Sequence, residues 1–140
     1  MNYYEAKKYL SKAYTARQRI NSKRERLERW KEESLQTSSQ MQSSPVSVSP
    51  EKQQTEKNII AIIDLEREIQ KDISELANLE LEIQKEINLV DDDLQKTVLE
   101  LRYLNFMKWD RICAKLNYSS SQIFNLHKSG ILSFMKNHKD

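Results

Sequence analysis

A single glycine, Gly130, and two prolines, Pro45 and Pro50, punctuate a chain of 140 residues. Sheet proteins need turn-forming residues at roughly every 8–12 positions, and this chain does not have them. Sandwiches, barrels and doubly wound sheets are therefore excluded, and long helices remain. The expected fold class is all-α. Its longest unbroken apolar stretch, Ile59 to Ile63, falls far short of the roughly 18–20 residues that span a bilayer, so no membrane partner is expected. No apolar N-terminal segment with a cleavage site is present, which argues against secretion. Cys113 stands alone and cannot form an internal disulfide, as fits a reducing cytoplasm.

Residues 3–36 read as one basic helix. Tyr3, Ala6, Leu10, Ala13, Arg17, Ile20, Arg24 and Leu27 follow at alternating three- and four-residue steps, a heptad seam interrupted by two arginines. Residues 51–90 carry the cleaner seam: Ile59, Ile62, Glu66, Ile69, Ile73, Leu76, Glu80, Ile83, Ile87 and Val90. Here the interruptions are acids, and the pattern predicts an acidic coiled-coil helix. Between the two, Thr37 to Pro50 is uncharged and rich in serine and glutamine, the composition of a flexible linker.

Net charge is +2 overall, but it is segregated: +5 over residues 1–36, −8 over 51–93 and +5 over 94–140. Two arrangements of the long helices are open. In an antiparallel hairpin turning near residue 43, Glu66 lies opposite about Ile20, within a turn of Arg17 and Arg24, and the seam charges pair. In a parallel homodimer of the acidic helix, Glu66 and Glu80 stack on their own copies and repel. The hairpin is the expected form, with self-association through the coiled coil, as an antiparallel doubling, left open.

After the long helices, Asp91-Asp92-Asp93 should cap a new helix, Leu94–Leu104. Asn105–Lys108 connects it to a second, Trp109–Leu116, and Asn117-Tyr118-Ser119 turns into a third that begins at Ser120 under a Ser119 cap. Two short helices joined by a tight turn are the helix-turn-helix pattern, expected over residues 91–140.

The run VLELRYLNFMKWDRICAKLNYSSSQIFNLHKSGILSFMK resembles region four of bacterial sigma factors, with its "VLxLRY" helix and its serine- or threonine-capped recognition helix. It is closer still to ArpU- and RinA-like late transcription regulators of Gram-positive phages and prophages. It is also similar to an uncharacterised relative whose pattern is met by Trp109, Ile112, Leu116, Tyr118, Ser119, Leu126 and His127. The resemblance covers about residues 94–136 and implies a regulator, cytoplasmic in a bacterial host, that binds double-stranded promoter DNA. It further implies host RNA polymerase as a partner.

The same resemblance places Ser120, Ser121, Gln122, Phe124, Asn125 and Lys128 on the outward face of the recognition helix, in the major groove. Gln122 and Asn125 would read adenine and Phe124 a thymine methyl, while Arg102, Lys108, Arg111 and Lys115 would hold phosphates. Lys108 stands where relatives carry a capping serine or threonine, and Asn117 where they carry glycine. Lys128 is the one base among the reading positions, and Gly130 weakens the helix by about 1 kcal/mol relative to alanine. A single module of this kind binds weakly, so dimerisation or polymerase docking would supply the remainder.

No catalytic residues, cofactor or metal are expected, because two histidines, one cysteine and one glycine build neither phosphate loops nor zinc clusters. The chain is read as a non-enzyme. His127 is expected to pack, and Cys113 to fill space. Two rivals to the regulator remain: a small-terminase-like DNA-packaging protein, and a helical interaction protein that no longer reads DNA.

Overall fold

A computed structural model describes the backbone of residues 1–42 and 50–138, and the side chains of these except residues 37–42 and 51. Six helices account for it: α1 (Tyr3–Leu10), α2 (Lys12–Gln42), α3 (Pro50–Ile87), α4 (Asp93–Tyr103), α5 (Trp109–Leu116) and α6 (Ser120–Asn137). No strand occurs among the described residues. The fold is all-α.

Local chemistry sets the helix ends. Asn2 and Glu5 form a reciprocal cap: Glu5 N donates to Asn2 Oδ1 at 2.8 Å, and Asn2 N to Glu5 Oε2 at 3.1 Å. The basic helix expected over 3–36 is broken at Ser11. Its hydroxyl shares the Lys7 carbonyl with its own backbone N–H, at 2.8 and 3.0 Å, and Thr15 N donates to Ser11 O at 3.1 Å, so the interruption is local. The helix then continues past residue 36 to Gln42, since nothing before Pro45 forbids it. The rest of the expected linker, residues 43–49, lies outside the described residues. Pro50 opens α3 at a position where its missing N–H costs nothing. α3 ends at Ile87 rather than at residue 90, in a turn closed by Leu89 N to Glu86 O and Val90 N to Ile87 O.

The chain divides into two compact units. One is Gln18–Glu75, made of parts of α2 and α3. Within it the helices run antiparallel: Lys23 bridges Glu68 at 2.8 Å and also Asp72, while Lys31 reaches Glu66 at 3.1 Å. The register differs from the one that a turn near residue 43 gives. Glu66 pairs with Lys31 and shares a groove with Arg24, rather than lying opposite Ile20, because α2 runs on to Gln42 and each α3 residue faces a later α2 residue. Ile20, Leu65 and Ile69 are buried here, and the two carboxylates hold the Lys23 pKa above its ordinary value.

The other unit is Met1–Arg17 with Leu76–Asp140. Val98, Leu101, Ile112 and Ile123 form a core on which Met107, Trp109, Cys113, Leu116 and Leu126 pack. Burying each aliphatic side chain contributes about 1.5–3 kcal/mol. Helix α6 is the hub, packed by α4, α1 and α5. Gly130 permits the close approach of α4, since a Cβ there would lie 3.3 Å from Leu99 Cγ. At the far end of α6, Tyr9 and His138 stack against Phe134 at 5.9 and 5.4 Å, and Tyr9 donates to Glu82 at 3.1 Å. His138 pairs with Glu86 at 2.8 Å, which ties α6 to the end of α3.

Candidate nucleic-acid interface

Helices α5 and α6 are joined by Asn117, Tyr118 and Ser119. Asn117 sits at φ 59°, ψ 45°, the left-handed conformation that ends α5, with Tyr118 N donating to Cys113 O at 3.1 Å. Asparagine reaches that region at little cost, so glycine is not needed. Ser119 caps α6: Gln122 N donates to Ser119 Oγ at 3.2 Å, and Ser119 N donates to Gln122 Oε1 at 2.9 Å. Lys108 begins α5 without a side-chain cap.

The inward row of α6 is Ile123, His127, Gly130, Ile131 and Phe134, all buried. That row turns Ser120, Ser121, Gln122, Phe124, Asn125 and Lys128 to solvent, and each of them is exposed. The exposed cations Lys108, at the N-cap of α5, and Arg111 and Lys115 within the helix follow at steps of three and four, the spacing of one stripe.

Two of the expected contact residues are otherwise engaged. Arg102 is half-buried: its Nη1 donates to the Met107 carbonyl at 3.1 Å, and its guanidinium lies 4.6 Å from the Trp109 ring centre. It braces the α4–α5 connection. Gln122 is folded back into the Ser119 cap, so its carbonyl oxygen is occupied. The Ser-x-x-Gln spacing of Ser119 and Gln122 is a capping-box signature that the sequence carries openly. The brace of Arg102 depends on a contact across the α4–α5 connection and has no local signal.

Aromatic residues underlie this surface. The Tyr103 hydroxyl lies 2.6 Å from His127 Nε2, the Trp109 ring meets His127 edge-on at 4.7 Å, and Phe124 stands 6.4 Å from Trp109. Phe124 itself is 65% exposed. Burial, with Lys7 and Arg102 nearby, lowers the His127 pKa to about 4, so the ring is neutral at pH 7. Burial also raises the Tyr103 pKa. Phe106, at φ 58°, holds a left-handed backbone that costs roughly 1–2 kcal/mol. Its ring is covered by Tyr14 at 6.0 Å and Arg17 at 4.9 Å. A shallow groove of about 310 Å³ runs beside the outward face, lined by Leu94, Tyr118, Asn125, Leu126 and Ser129.

No three His, Cys, Asp or Glu side chains gather as a metal ion would require, and no helix is long and apolar enough to cross a membrane, among the described residues. Asp92 instead accepts from Gln95 N at 2.8 Å and caps α4.

The arrangement defines an all-α protein with an exposed face on α6, polar except for Phe124, and exposed cations at Lys108, Arg111 and Lys115. Residues 34–134 match the family described as "Protein of unknown function (DUF1492)", and the chain belongs to that family. The match takes in the end of α2, all of α3, α4 and α5, and α6 as far as Phe134. No curated protein and no solved structure matches the chain.

Proposed function

We propose that this chain is a phage or prophage transcription regulator that binds promoter DNA through a helix-turn-helix formed by α5 and α6, akin to sigma region four. The observation that carries the reading is that the outward face of α6 is exposed and that Lys108, Arg111 and Lys115, exposed and spaced by three and four, precede it across the Asn117–Ser119 turn. Phosphates on either side of the major groove need cations in such a row, and base edges need polar side chains between them. Asn125 is the reader of adenine, for it is exposed and not engaged in the helix cap. Ser120, Ser121 and Lys128 contact backbone or base edges beside it. Host RNA polymerase is the protein partner that the resemblance to region four supports, and late genes are the targets it implies. The chain acts by binding, not by catalysis.

The test is a salt titration of binding to duplex DNA from the genomic segment that encodes the chain. Specific binding should weaken with salt, and replacing Lys108, Arg111 and Lys115 by alanine should reduce the log–log slope by about 2–3. Absence of binding at low salt overturns the reading.

One observation favours a second reading. Phe124 is 65% exposed at the centre of the face, as an anchor for a protein partner would be. A helical interaction protein without DNA affinity would keep partner binding when Asn125 and Lys128 are changed to alanine and lose it with Phe124→Ala.

A further inference from the structure

Helix α3 carries isoleucine on two faces of its first half. Leu65 and Ile69 are buried within the α2–α3 unit. On the other side Ile59, Ile60 and Ile63 are 47%, 60% and 42% exposed. Scattered apolar residues on a surface need no explanation, but three isoleucines within five positions form a patch. Next to Ile63 runs a groove of about 630 Å³ lined by Leu27 and Ile73 and edged by Arg24 and Arg67.

The charges around the patch are arranged with a symmetry. Glu56, Ile60, Ile63 and Arg67 follow at steps of four, three and four, so they form one stripe along the helix, and all four are exposed. The stripe has an acid at one end, a base at the other and two isoleucines between. A two-fold axis midway between Ile60 and Ile63 exchanges its ends. In that antiparallel crossing Ile60 meets the partner's Ile63, and Glu56 meets the partner's Arg67, each contact made twice. A parallel crossing would set Glu56 against Glu56 and Arg67 against Arg67, and like charges would oppose it.

We propose that the Glu56–Ile60–Ile63–Arg67 stripe is the surface on which a second copy of this chain docks, antiparallel, to form a dimer. The groove beside Ile63 brings Leu27 and Ile73 next to the stripe, among the charged Arg24, Lys31 and Glu66. The inference rests on the Gln18–Glu75 unit and not on the DNA-binding reading. Measuring self-association without nucleic acid keeps the two separable.

Sedimentation and light scattering of the full chain over about a hundredfold range of concentration test it. The expected result is a mass that rises from one chain to two. Ile60→Ser with Ile63→Ser, both at exposed positions, should leave the helical circular dichroism intact and keep the chain monomeric throughout. Glu56→Arg and Arg67→Glu should each weaken the dimer about tenfold or more. An equimolar mixture of those two variants should dimerise as well as the unaltered chain, because unlike charges again face each other at both ends. Positions 56 and 67 lie about 16 Å apart along one helix, so the rescue cannot arise within a chain. A chain that stays monomeric overturns the proposal. So does a serine double variant that dimerises normally, or a mixture no better than its parts.

Discussion

His127 shows what one buried residue does to the stability of this protein. It is 2% exposed, bonded to the Tyr103 hydroxyl and walled by Trp109. Its pKa is lowered to about 4, chiefly by burial and then by Lys7 and Arg102. An unfolded histidine titrates near 6.5, so below that pH the unfolded chain takes up a proton that the folded chain refuses. Stability should therefore be complete above about pH 6.5, fall as the pH drops toward 4, and lose about 3 kcal/mol from this group in all. His127→Gln keeps a polar partner for Tyr103 without a charge to gain. Urea unfolding at pH 7 and pH 5 should show the native chain losing about 2 kcal/mol more than the variant between those values. Equal losses would mean that His127 titrates freely. Gly130 is the second residue whose role is set by its surroundings. Gly130→Ala gains about 1 kcal/mol of helix propensity, but its new methyl would meet Leu99, fully buried and 3.3 Å away. The close approach wins on the magnitudes, since overpacking costs roughly 1–3 kcal/mol, and thermal unfolding should occur at a lower temperature than in the native chain.

At the scale of elements, α6 separates residues that shape the helix from exposed residues to which the proposed DNA contact is assigned. Ser119→Ala removes the cap and should cost about 1 kcal/mol of stability. Gln122→Ala should cost less than that, and should leave sequence preference unaltered because its amide serves the cap. Asn125→Ala should do the opposite: no change in urea midpoint, but about 1–3 kcal/mol less discrimination for the preferred DNA site. A loss of sequence preference in Gln122→Ala that exceeds the loss in Asn125→Ala would show that Gln122 leaves the cap on binding. The elements themselves were largely legible in the sequence. The limits of α5, the Ser119 cap and the start of α6 follow from local rules, since Asn117 and Ser119 carry their signals in their side-chain chemistry. The inner seam of α3 was legible from Ile69 onward, where Leu76, Ile83 and Ile87 are buried. Earlier in the helix Leu65 is buried and Ile59 exposed, because isoleucine on both faces leaves the period ambiguous. The pairing of Glu66 with Lys31 was not legible, for register depends on where the connection turns, and uncharged serine-rich chain does not mark a helix end. The engagement of Arg102 was equally hidden, because a cation that reaches a carbonyl across a loop has the same sequence as one that reaches a phosphate.

For the molecule as a whole, the burial of apolar side chains is uneven between the two units. In the unit of Met1–Arg17 and Leu76–Asp140, the fully buried side chains include Leu10, Ile83, Ile87, Leu99, Ile112, Ile123, Ile131 and Phe134. In Gln18–Glu75 the buried apolar side chains are Ile20, Leu65 and Ile69 among the described residues. Ion pairs there are partly exposed, as at Lys31–Glu66 with 52% and 46% exposure, and such pairs contribute roughly 0–1 kcal/mol. Long helices without a well-covered face open locally at small cost, whereas amides beneath a packed core exchange only with wider unfolding. Hydrogen exchange should therefore be faster in peptides over residues 55–67 than in peptides over 123–134, by about tenfold or more. Concentration adds a second expectation, since a dimer formed through Ile60 and Ile63 covers the face that is poorly covered in one chain. Exchange over 55–67 should slow as protein concentration rises, while exchange over 123–134 stays constant. Uniform exchange across both regions would show that the ion pairs and Ile20, Leu65 and Ile69 hold the long helices as firmly as the larger core holds α6. In that case the second copy would add nothing to the stability of α3.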